Sequence, residues 1–281
     1  MFGLGYVGCA VARAAAAAGA SVRGTTRGDA LSRVGGVVAI DFAQAARAVT
    51  DATHVLSTVP PDASGDPVVL HYGEAIAASD VRWIGYLSTT GVYGDRSGAW
   101  VDEHTAPAPG SDRSRRRLAA EDAWRRFADR RAVDIFRSAG IYGPGRSAFD
   151  DLRAGTARRV IKPGHTFGRI HRDDIVRAVL AAMAQERSPG ARVLNLTDDE
   201  PAESAKVVAE AARLLGVPPP AAVPFDQAIE AMSPMARSFW AEDRKVSSQW
   251  TQQALGLRWR YPSYREGLRA ILAEEGGKGP A

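Results

Sequence analysis

Three closely spaced glycines restrict how the first residues of this chain can fold. Gly3, Gly5 and Gly8 form a G-x-G-x-x-G pattern that runs directly into an alanine-rich segment. In such a pattern the first glycine permits a tight turn, the second lets a pyrophosphate approach the backbone, and the third lets a helix pack closely on a sheet. The N–H groups that begin the helix, including those of Tyr6 and Val7, would then face the phosphates. The pattern predicts a dinucleotide-binding turn, although glycines at these offsets can also form an ordinary turn.

The segments around the glycines follow the order of a βαβ unit. Residues 7–18 have a helical pattern that Gly19 ends, and residues 20–24 have the pattern of a short strand. Only Met1 and Phe2 precede Gly3, whereas a strand commonly has about five residues. We therefore expect the first strand to be incomplete here and the native start to lie upstream of Met1.

Short apolar runs alternate with helical patterns through the first two thirds of the sequence. The predicted strands are residues 37–40, 54–57, 83–87 and 133–137, and the predicted helices are residues 44–49, 67–78 and 114–129. This alternation predicts an α/β fold, a Rossmann-like doubly wound parallel sheet that binds ligands at the carboxyl ends of its strands.

The alternation becomes irregular after Arg137, where turn-rich loops precede a further strand at residues 192–196 and several helices. We predict a dinucleotide-binding core over residues 1–145. Residues 146–275 are predicted to return strands to that core and to form a smaller C-terminal substrate lobe, and residues 276–281 are predicted to be a flexible tail.

The composition excludes several kinds of binding site and binding partner. The single cysteine, Cys9, excludes a disulfide framework and a cysteine-based metal site, so no metal site is predicted. No apolar run approaches the roughly 18 residues of a membrane span, and no basic leader precedes an apolar segment. A cytoplasmic protein with no membrane partner is expected. The net charge of +4 comes mainly from arginine, and the cluster at residues 113–117 has the pattern of a solvated helix face, so no nucleic-acid partner is expected.

Six segments occur in an order that resembles one protein superfamily. They are the glycine pattern at residues 3–8, LSTTGVYG at 87–94, LAAE at 118–121, YGPGR at 142–146, IHRDD at 170–174 and YREGL at 264–268. The chain resembles the extended short-chain dehydrogenase/reductase superfamily, in its NAD(P)-dependent epimerase/dehydratase branch. The resemblance implies a nicotinamide cofactor and a small-molecule substrate, and we expect a monomer or a homodimer.

The catalytic residues that the resemblance implies are only partly present. It assigns to Thr89 a hydrogen bond to the substrate oxygen. The Tyr-x-x-x-Lys pair of the superfamily falls on Arg113 and Arg117, and no lysine in the sequence follows a tyrosine at that spacing. Arginine stays charged near neutral pH, so Arg113 cannot be a general acid, although it could bind an anion or orient a carbonyl. Arg117 could still hydrogen-bond the nicotinamide ribose.

Other side chains could supply the missing proton. Tyr93 is the candidate that we prefer, and Tyr142 and His171 lie on segments that the resemblance places near the cleft. For the two tyrosines the alternative is packing with a satisfied hydroxyl group. For His171 the alternative is a structural hydrogen bond to neighbouring backbone.

The end of the second predicted strand indicates the type of cofactor. An NAD site usually places Asp or Glu there, whereas an NADP site offers arginine to the 2′-phosphate. Residues 24–27 read GTTR, with no acid before Asp29, so NADP is predicted over NAD, bound by Thr25, Thr26 and Arg27. Arg27 could instead be a solvated loop charge.

The resemblance adds contacts to the rest of the cofactor. It assigns an adenine contact to Asp41 and places Thr58, Val59 and Pro60 along the cofactor.

Two functions remain open from the sequence. The first is an NADP-dependent oxidoreductase or epimerase that acts on a small sugar-like or anionic substrate, which Arg146, Arg169 and the Arg113 cluster would favour. The second is a non-catalytic NADP-binding sensor or scaffold, which the missing Tyr-x-x-x-Lys pair favours. The fold alone does not separate the two.

Overall fold

A computed structural model describes residues 1–26 and 36–276 of the chain. Within these residues twelve strands follow one another: β1 Arg23–Thr26, β2 Val38–Asp41, β3 His54–Ser57, β4 Trp83–Thr89, β5 Trp100–Val101, β6 Ala132–Ser138, β7 Gly140–Tyr142, β8 Arg159–Ile161, β9 Arg169–His171, β10 Gly190–Leu196, β11 Ala222–Pro224 and β12 Lys245–Val246.

Eleven α-helices lie within the same described residues. They are α1 Tyr6–Ala17, α2 Ala46–Thr50, α3 Pro67–Ala78, α4 Asp112–Arg125, α5 Ala148–Arg153, α6 Arg172–Met183, α7 Ser204–Leu215, α8 Phe225–Ala228, α9 Pro234–Trp240, α10 Gln249–Ala254 and α11 Tyr264–Gly276.

The central sheet is parallel. Strands β10, β6, β4 and β3 are hydrogen-bonded in that order, and β1 pairs with β2 beside them. Residues 1–4 join the two parts, because the Phe2 N–H donates to Leu56 O at 2.7 Å and the Leu4 N–H donates to Thr25 O at 2.9 Å. The strand order is therefore β2, β1, the bridge at Phe2, β3, β4, β6 and β10. This order is that of a doubly wound nucleotide-binding sheet, so the fold predicted from the sequence is confirmed.

Two hydrophobic layers cover the faces of this sheet. One packs α1 and α6 against the strands, with Val11, Val179 and Phe136 buried among its members. The other packs α2, α3 and α4 on the opposite face, with Ile76 and Trp124 buried. Because side chains alternate between faces along a strand, strands covered on both sides are mostly apolar.

Two details of the sequence interpretation were wrong. The strand expected at residues 20–24 begins only at Arg23 and extends to Thr26. For the helix over residues 114–129 the sequence predicts an inner face of Leu118, Ala119, Trp124 and Phe127. In α4 Trp124 is buried as expected, but the other buried positions are Ser114, Ala120 and Glu121. Glu121 can lie on that face because Ser88 and Arg137 of the sheet donate hydrogen bonds to its carboxylate, which a search for apolar periodicity overlooks.

The smaller strand pairs lie outside the central sheet. Strand β8 pairs with β11, β12 with β5, and β7 with β9, all parallel. Strand β10 belongs to the central sheet, where it pairs with β6. The three strands that precede it in the sequence, β7, β8 and β9, lie outside that sheet. Among the described residues no helix has the length and apolar character needed to cross a bilayer.

Candidate active site

The glycine turn has the geometry of a phosphate-binding turn. Gly3 has a φ of +91°, which favours glycine. A Cβ on Gly8 would lie 1.9 Å from the Gly3 carbonyl oxygen, whereas a Cβ on Gly5 would meet nothing within 4 Å. Gly8 is therefore required for the turn itself, and Gly5 leaves open space beside the start of α1.

The start of α1 offers main-chain donors. Gly5 is the N-cap, no side chain caps the helix, and its first turn contains no acidic residue. The first N–H groups of a helix have no partner within the helix, so those of Tyr6, Val7 and Gly8 suit an anion. The Val7 side chain is buried in the core, so its part in such a site is that of its N–H group.

Neighbouring hydroxyl groups support the turn. The Thr58 Oγ1 donates to the Gly3 carbonyl oxygen at 2.8 Å, and the Gly3 N–H donates to Thr25 Oγ1 at 3.1 Å. Thr25 is buried, so its hydroxyl holds the turn and does not form part of the predicted 2′-phosphate pocket. Thr26 ends β1 and is half-buried, and Arg27 lies outside the described residues.

The other predicted cofactor contacts follow neighbouring strands. Asp41 ends β2, and its Oδ1 accepts from the Ala43 N–H at 2.7 Å, which caps a short 3-10 helix. Val59 follows β3 and would contact a Cβ on Gly3, and Pro60 is exposed. These positions share the carboxyl edge of the sheet with the glycine turn.

Thr89 lies at the carboxyl end of β4. Its Oγ1 accepts from the Gly91 N–H at 3.2 Å and caps the 3-10 helix Thr90–Tyr93. The side chain is half-buried, and among the described residues its hydroxyl proton has no acceptor. The hydroxyl can therefore still donate to a substrate oxygen.

Arg117 lies against the sheet beside β4. Its Nη1 donates to Tyr86 Oη at 3.0 Å and to Leu87 O at 3.1 Å. Tyr86 is a site neighbour that the sequence did not indicate. Burial raises the pKa of Tyr86 despite the opposing charge of Arg117, so this phenol remains protonated near neutral pH and is not activated as the superfamily tyrosine is.

Arg113 faces the helix α9 region and not the sheet. Its guanidinium lies 4.3 Å from the centre of the exposed Phe239 ring. Partial burial lowers the pKa of Arg113, and the neighbouring Glu242 carboxylate opposes this shift. An arginine remains charged even so. The position that the resemblance assigns to the superfamily tyrosine therefore carries a cation that cannot act as a general acid.

A buried ion pair holds α4, the helix that carries Arg113 and Arg117, against the sheet. Arg137 of β6 donates from Nη2 to Glu121 Oε2 at 2.8 Å, and the Ser88 hydroxyl donates to Glu121 Oε1 at 2.6 Å. Arg137 and Glu121 are almost fully buried. The sequence carried a signal for this pair, since Arg137 is a charged residue that ends an apolar strand pattern and Glu121 ends the LAAE segment.

Tyr93 lies in the interior and not at the cleft. It is fully buried, its hydroxyl donates to Asn195 Oδ1 at 2.8 Å, and Arg137 lies 4.7 Å from its ring centre. Burial raises the pKa of Tyr93. The interior position of Tyr93 fits the alternative of packing with a satisfied hydroxyl group, and the role of Tyr93 as proton donor stays an untested prediction.

Tyr142 and His171 also have structural contacts. The Tyr142 hydroxyl donates to Ser263 O at 3.4 Å, and burial raises its pKa. The His171 Nδ1 accepts from the Asp173 N–H at 3.2 Å and caps α6. Its ring lies 5.2 Å from that of Tyr142 and 4.2 Å from that of Tyr261.

The arginines expected to attract an anion do not form one cluster. Arg146 and Arg169 line the same cavity of about 450 Å³, together with Ser147, Ser204 and Tyr264. Arg113 is not among the residues that line it. The Arg146 guanidinium lies 5.7 Å from the Tyr6 ring, so this cavity adjoins the glycine turn.

Several solved structures match nearly the whole chain. A conserved protein of unknown function from Silicibacter pomeroyi DSS is 43% identical, with a TM-score of 0.89, and the match covers 98% of this chain and 97% of that one. MoeE5 in complex with UDP-glucuronic acid and NAD is 20% identical with a TM-score of 0.75, over 97% of each chain. The human epimerase family protein SDR39U1 (isoform2) with NADPH is 17% identical with a TM-score of 0.76, over 97% of this chain and 99% of that one.

Curated relatives match part of the chain. The 3-diazoavenalumate denitrifying reductase of a Streptomyces species is 33% identical over 142 residues, which cover 48% of this chain and 45% of that protein. Protein YeeZ of Escherichia coli K12 is 30% identical over 181 residues, which cover 62% of this chain and 63% of that protein. The chain thus spans less than two thirds of either relative, and no family model matches it.

The Silicibacter protein is 43% identical over nearly the whole chain, so this chain belongs to the same family as that protein of unknown function. The other solved structures are less than 25% identical and share the fold from end to end. This fold agrees with the resemblance of the ordered segments to the extended short-chain dehydrogenase/reductase superfamily, and the sequence lacks the Tyr-x-x-x-Lys pair.

Proposed function

We propose that the protein is an NADP-dependent oxidoreductase or epimerase that acts on a small sugar-like or anionic substrate. The observation that carries this proposal is the glycine turn, where open space beside Gly5 adjoins an uncapped helix start. Relatives of the same fold are named as complexes with NAD or NADPH and as an epimerase family protein or a reductase. We place NADP ahead of NAD because no acid precedes Asp29 after β1.

The residues present suit a nicotinamide dinucleotide. The N–H groups of Tyr6, Val7 and Gly8 would hold the pyrophosphate, and Arg117 would face the ribose next to the nicotinamide. When bound, the cofactor would supply or accept a hydride. Thr89 would hold the substrate oxygen through its hydroxyl, and Arg113 would hold an anionic group or orient a carbonyl. The proton would have to come from a donor other than the superfamily tyrosine.

Thermal melts of the free protein and of the protein with NADPH or NADH test cofactor binding. A ligand at 100 times its Kd adds about 2.7 kcal/mol to the free energy of unfolding, so we expect a clear increase in Tm, larger with NADPH. A larger increase with NADH would reject the preference for NADP. No increase with either would remove the basis of the proposal.

Two glycine variants make the binding test specific to the turn. Gly5→Ala places a methyl group in open space at a φ of −83°, so we expect a nearly unchanged Tm without cofactor and a lost or much reduced shift with NADPH. Gly8→Ala forces a methyl group to within 1.9 Å of the Gly3 carbonyl, so we expect a lower Tm even without cofactor. Equal NADPH shifts in Gly5→Ala and the parent protein would contradict pyrophosphate binding at this turn.

The missing Tyr-x-x-x-Lys pair supports one alternative, a sensor or scaffold that binds NADP without turnover. NADPH oxidation with a panel of carbonyl compounds separates the two functions. Turnover that Thr89→Val abolishes would support the enzyme. Binding without turnover across the panel would support the alternative.

A further inference from the structure

The cavity that Arg146 and Arg169 line lies among β9, α5, α7 and α11 and has a volume of about 450 Å³. Thr89, Arg113 and Arg117 are not among the residues that line it. The cavity is therefore separate from the side chains proposed to hold the substrate, and its own side chains indicate what it could bind.

Arg169 brings a positive charge to the cavity wall that no carboxylate pairs with. Its Nη1 donates to the main-chain oxygens of Phe167 and Ala202, both at 2.9 Å. Among the residues that the structure describes, its other N–H groups have no acceptor, and Asp198 acts on its charge without forming an ion pair. Burial raises the pKa of Asp198 well above its ordinary value, which weakens that compensation. Because arginine stays charged, an anion in the cavity would stabilise Arg169.

Two hydroxyl groups in the cavity wall also have no partner. The Tyr264 side chain is only 2% exposed. Within residues 1–26 and 36–276 its hydroxyl makes no hydrogen bond, and it is not enclosed by protein atoms. The Ser204 hydroxyl likewise has no partner in the described part of the chain. Buried polar groups are normally hydrogen-bonded, so an oxygen of a ligand in the cavity would supply the missing acceptor.

Helix α7 begins at the same cavity. Ser204 is its first residue, the N-cap Glu203 makes no side-chain cap, and the first turn contains no acidic residue. The first N–H groups of a helix have no partner within it and carry its positive dipole end. The start of α7 therefore adds to the attraction that Arg169 and the two hydroxyl groups exert on an anion.

The rest of the lining limits the charge and the shape of a ligand. Asp150 and Asp151 of α5 also line the cavity, and they would repel a second negative charge. Val207, Val208 and Leu268 supply apolar wall beside the polar groups. A ligand with one negative charge and an apolar body suits this combination.

We propose that this cavity binds a small organic monocarboxylate, whose oxygens accept hydrogen bonds from Arg169, Tyr264 and Ser204. Its apolar body would lie against Val207 and Leu268. The proposal does not rest on the proposed function, because neither the cofactor turn nor Thr89 takes part in it.

Thermal melts of the cofactor-free protein with phenylacetate, phenylacetamide or inorganic phosphate, at matched ionic strength, test the charge and the shape. Phenylacetate at about ten times its Kd should raise Tm by roughly 3 °C, and the neutral amide and phosphate should have little effect. Gly5→Ala should show the same increase with phenylacetate, which separates this site from the cofactor turn. No increase with phenylacetate, or an equal increase with the amide or with phosphate, would overturn the proposal.

Three hydroxyl variants locate the site. Tyr264→Phe and Ser204→Ala remove hydroxyl groups that have no partner among the described residues, so we expect an unchanged Tm without ligand and a Kd for phenylacetate about tenfold higher. Tyr142→Phe is the matched control, because the Tyr142 hydroxyl already donates to Ser263 O, and its Kd should equal that of the parent protein. Parent-like Kd values in both Tyr264→Phe and Ser204→Ala would reject the assignment.

Methyl NMR spectra of the cofactor-free protein give an independent location. Phenylacetate should shift the methyl signals of Val207, Val208 and Leu268 and leave that of Val59, beside the glycine turn, unchanged. Shifts at Val59 without shifts at the three cavity residues would place the ligand at the cofactor turn and overturn the proposal.

Discussion

Tyr93 illustrates how burial decides the role of a single residue. Its hydroxyl donates to Asn195 inside the protein, and the Arg137 guanidinium lies over its ring. Thr89, by contrast, is half-buried at the carboxyl edge of the sheet. The end of β4 therefore carries one hydroxyl at the carboxyl edge of the sheet, and the 3-10 helix that follows directs the other into the core.

We expect Tyr93→Phe to lower stability and to leave the active site intact. The change removes one buried hydrogen bond, worth about 1 kcal/mol, and keeps the aromatic ring under Arg137. Urea unfolding should report this loss, and NADPH binding per folded molecule should be unchanged. Thr89→Val is the matched variant, for which we expect little change in stability and a loss of any NADPH-dependent turnover.

The opposite pattern would support Tyr93 as the proton donor. That pattern is normal stability in Tyr93→Phe with turnover lost and NADPH binding retained.

At the scale of elements, His171 makes the stability of the folded protein depend on pH through its position at the start of α6. Its Nδ1 caps the helix by accepting from the Asp173 N–H at 3.2 Å. Burial lowers the pKa of His171, although the Asp173 and Asp174 carboxylates oppose the shift. Folding therefore favours the neutral form of the His171 side chain. Because the unfolded chain takes up a proton near a pH of 6.5 and the folded protein does so only at lower pH, stability is present above that pH and is lost below it.

We expect His171→Asn to flatten this dependence. Asparagine is among the best N-cap residues, so the cap can be retained while the titrating group is removed. Between pH 7.5 and pH 5.5 the free energy of unfolding should fall less in His171→Asn than in the parent protein, by up to about 1 kcal/mol. Urea unfolding of both proteins at each pH measures this difference in the free energy of unfolding. Parallel pH profiles would show that other groups, such as His165 and His54, whose pKa values burial also lowers, control the dependence.

The elements of the sheet were the most predictable part of the structure. Strand β3 has the predicted bounds His54–Ser57, and α3 has the predicted bounds Pro67–Ala78. Helix α3 carries strong local signals, since it has Asp66 as N-cap and proline at its first position. The site was less predictable. The interior position of Tyr93 depends on Asn195, and that of Glu121 depends on Arg137. Tyr93 and Asn195 meet only in the folded chain, and no local pattern reveals their contact. For Glu121 and Arg137 the sequence shows a charged residue at the end of each segment, but it does not show that the two residues pair.

At the scale of the whole molecule, one buried hydrogen-bond network joins segments far apart in the sequence. The Thr251 Oγ1 accepts from the Asn195 N–H at 2.7 Å and donates to Glu103 Oε1 at 2.5 Å. Asn195 also receives the Tyr93 hydroxyl bond. Strand β10, helix α10 and the loop after β5 therefore meet at Thr251, which is fully buried. The C-terminal segments are held to the sheet at a polar contact as well as by apolar packing.

This arrangement predicts that the hydroxyl of Thr251 matters more than its methyl group. Thr251→Val keeps the shape and removes the donor to a buried carboxylate, a bond worth about 2–3 kcal/mol. Thr251→Ser keeps that donor and removes one methyl group, at a cost of about 1 kcal/mol. Urea unfolding at pH 7.5, followed by both tryptophan fluorescence and far-UV circular dichroism, measures the two losses. A smaller loss in Thr251→Val than in Thr251→Ser would mean that packing, and not this network, attaches the C-terminal segments to the sheet.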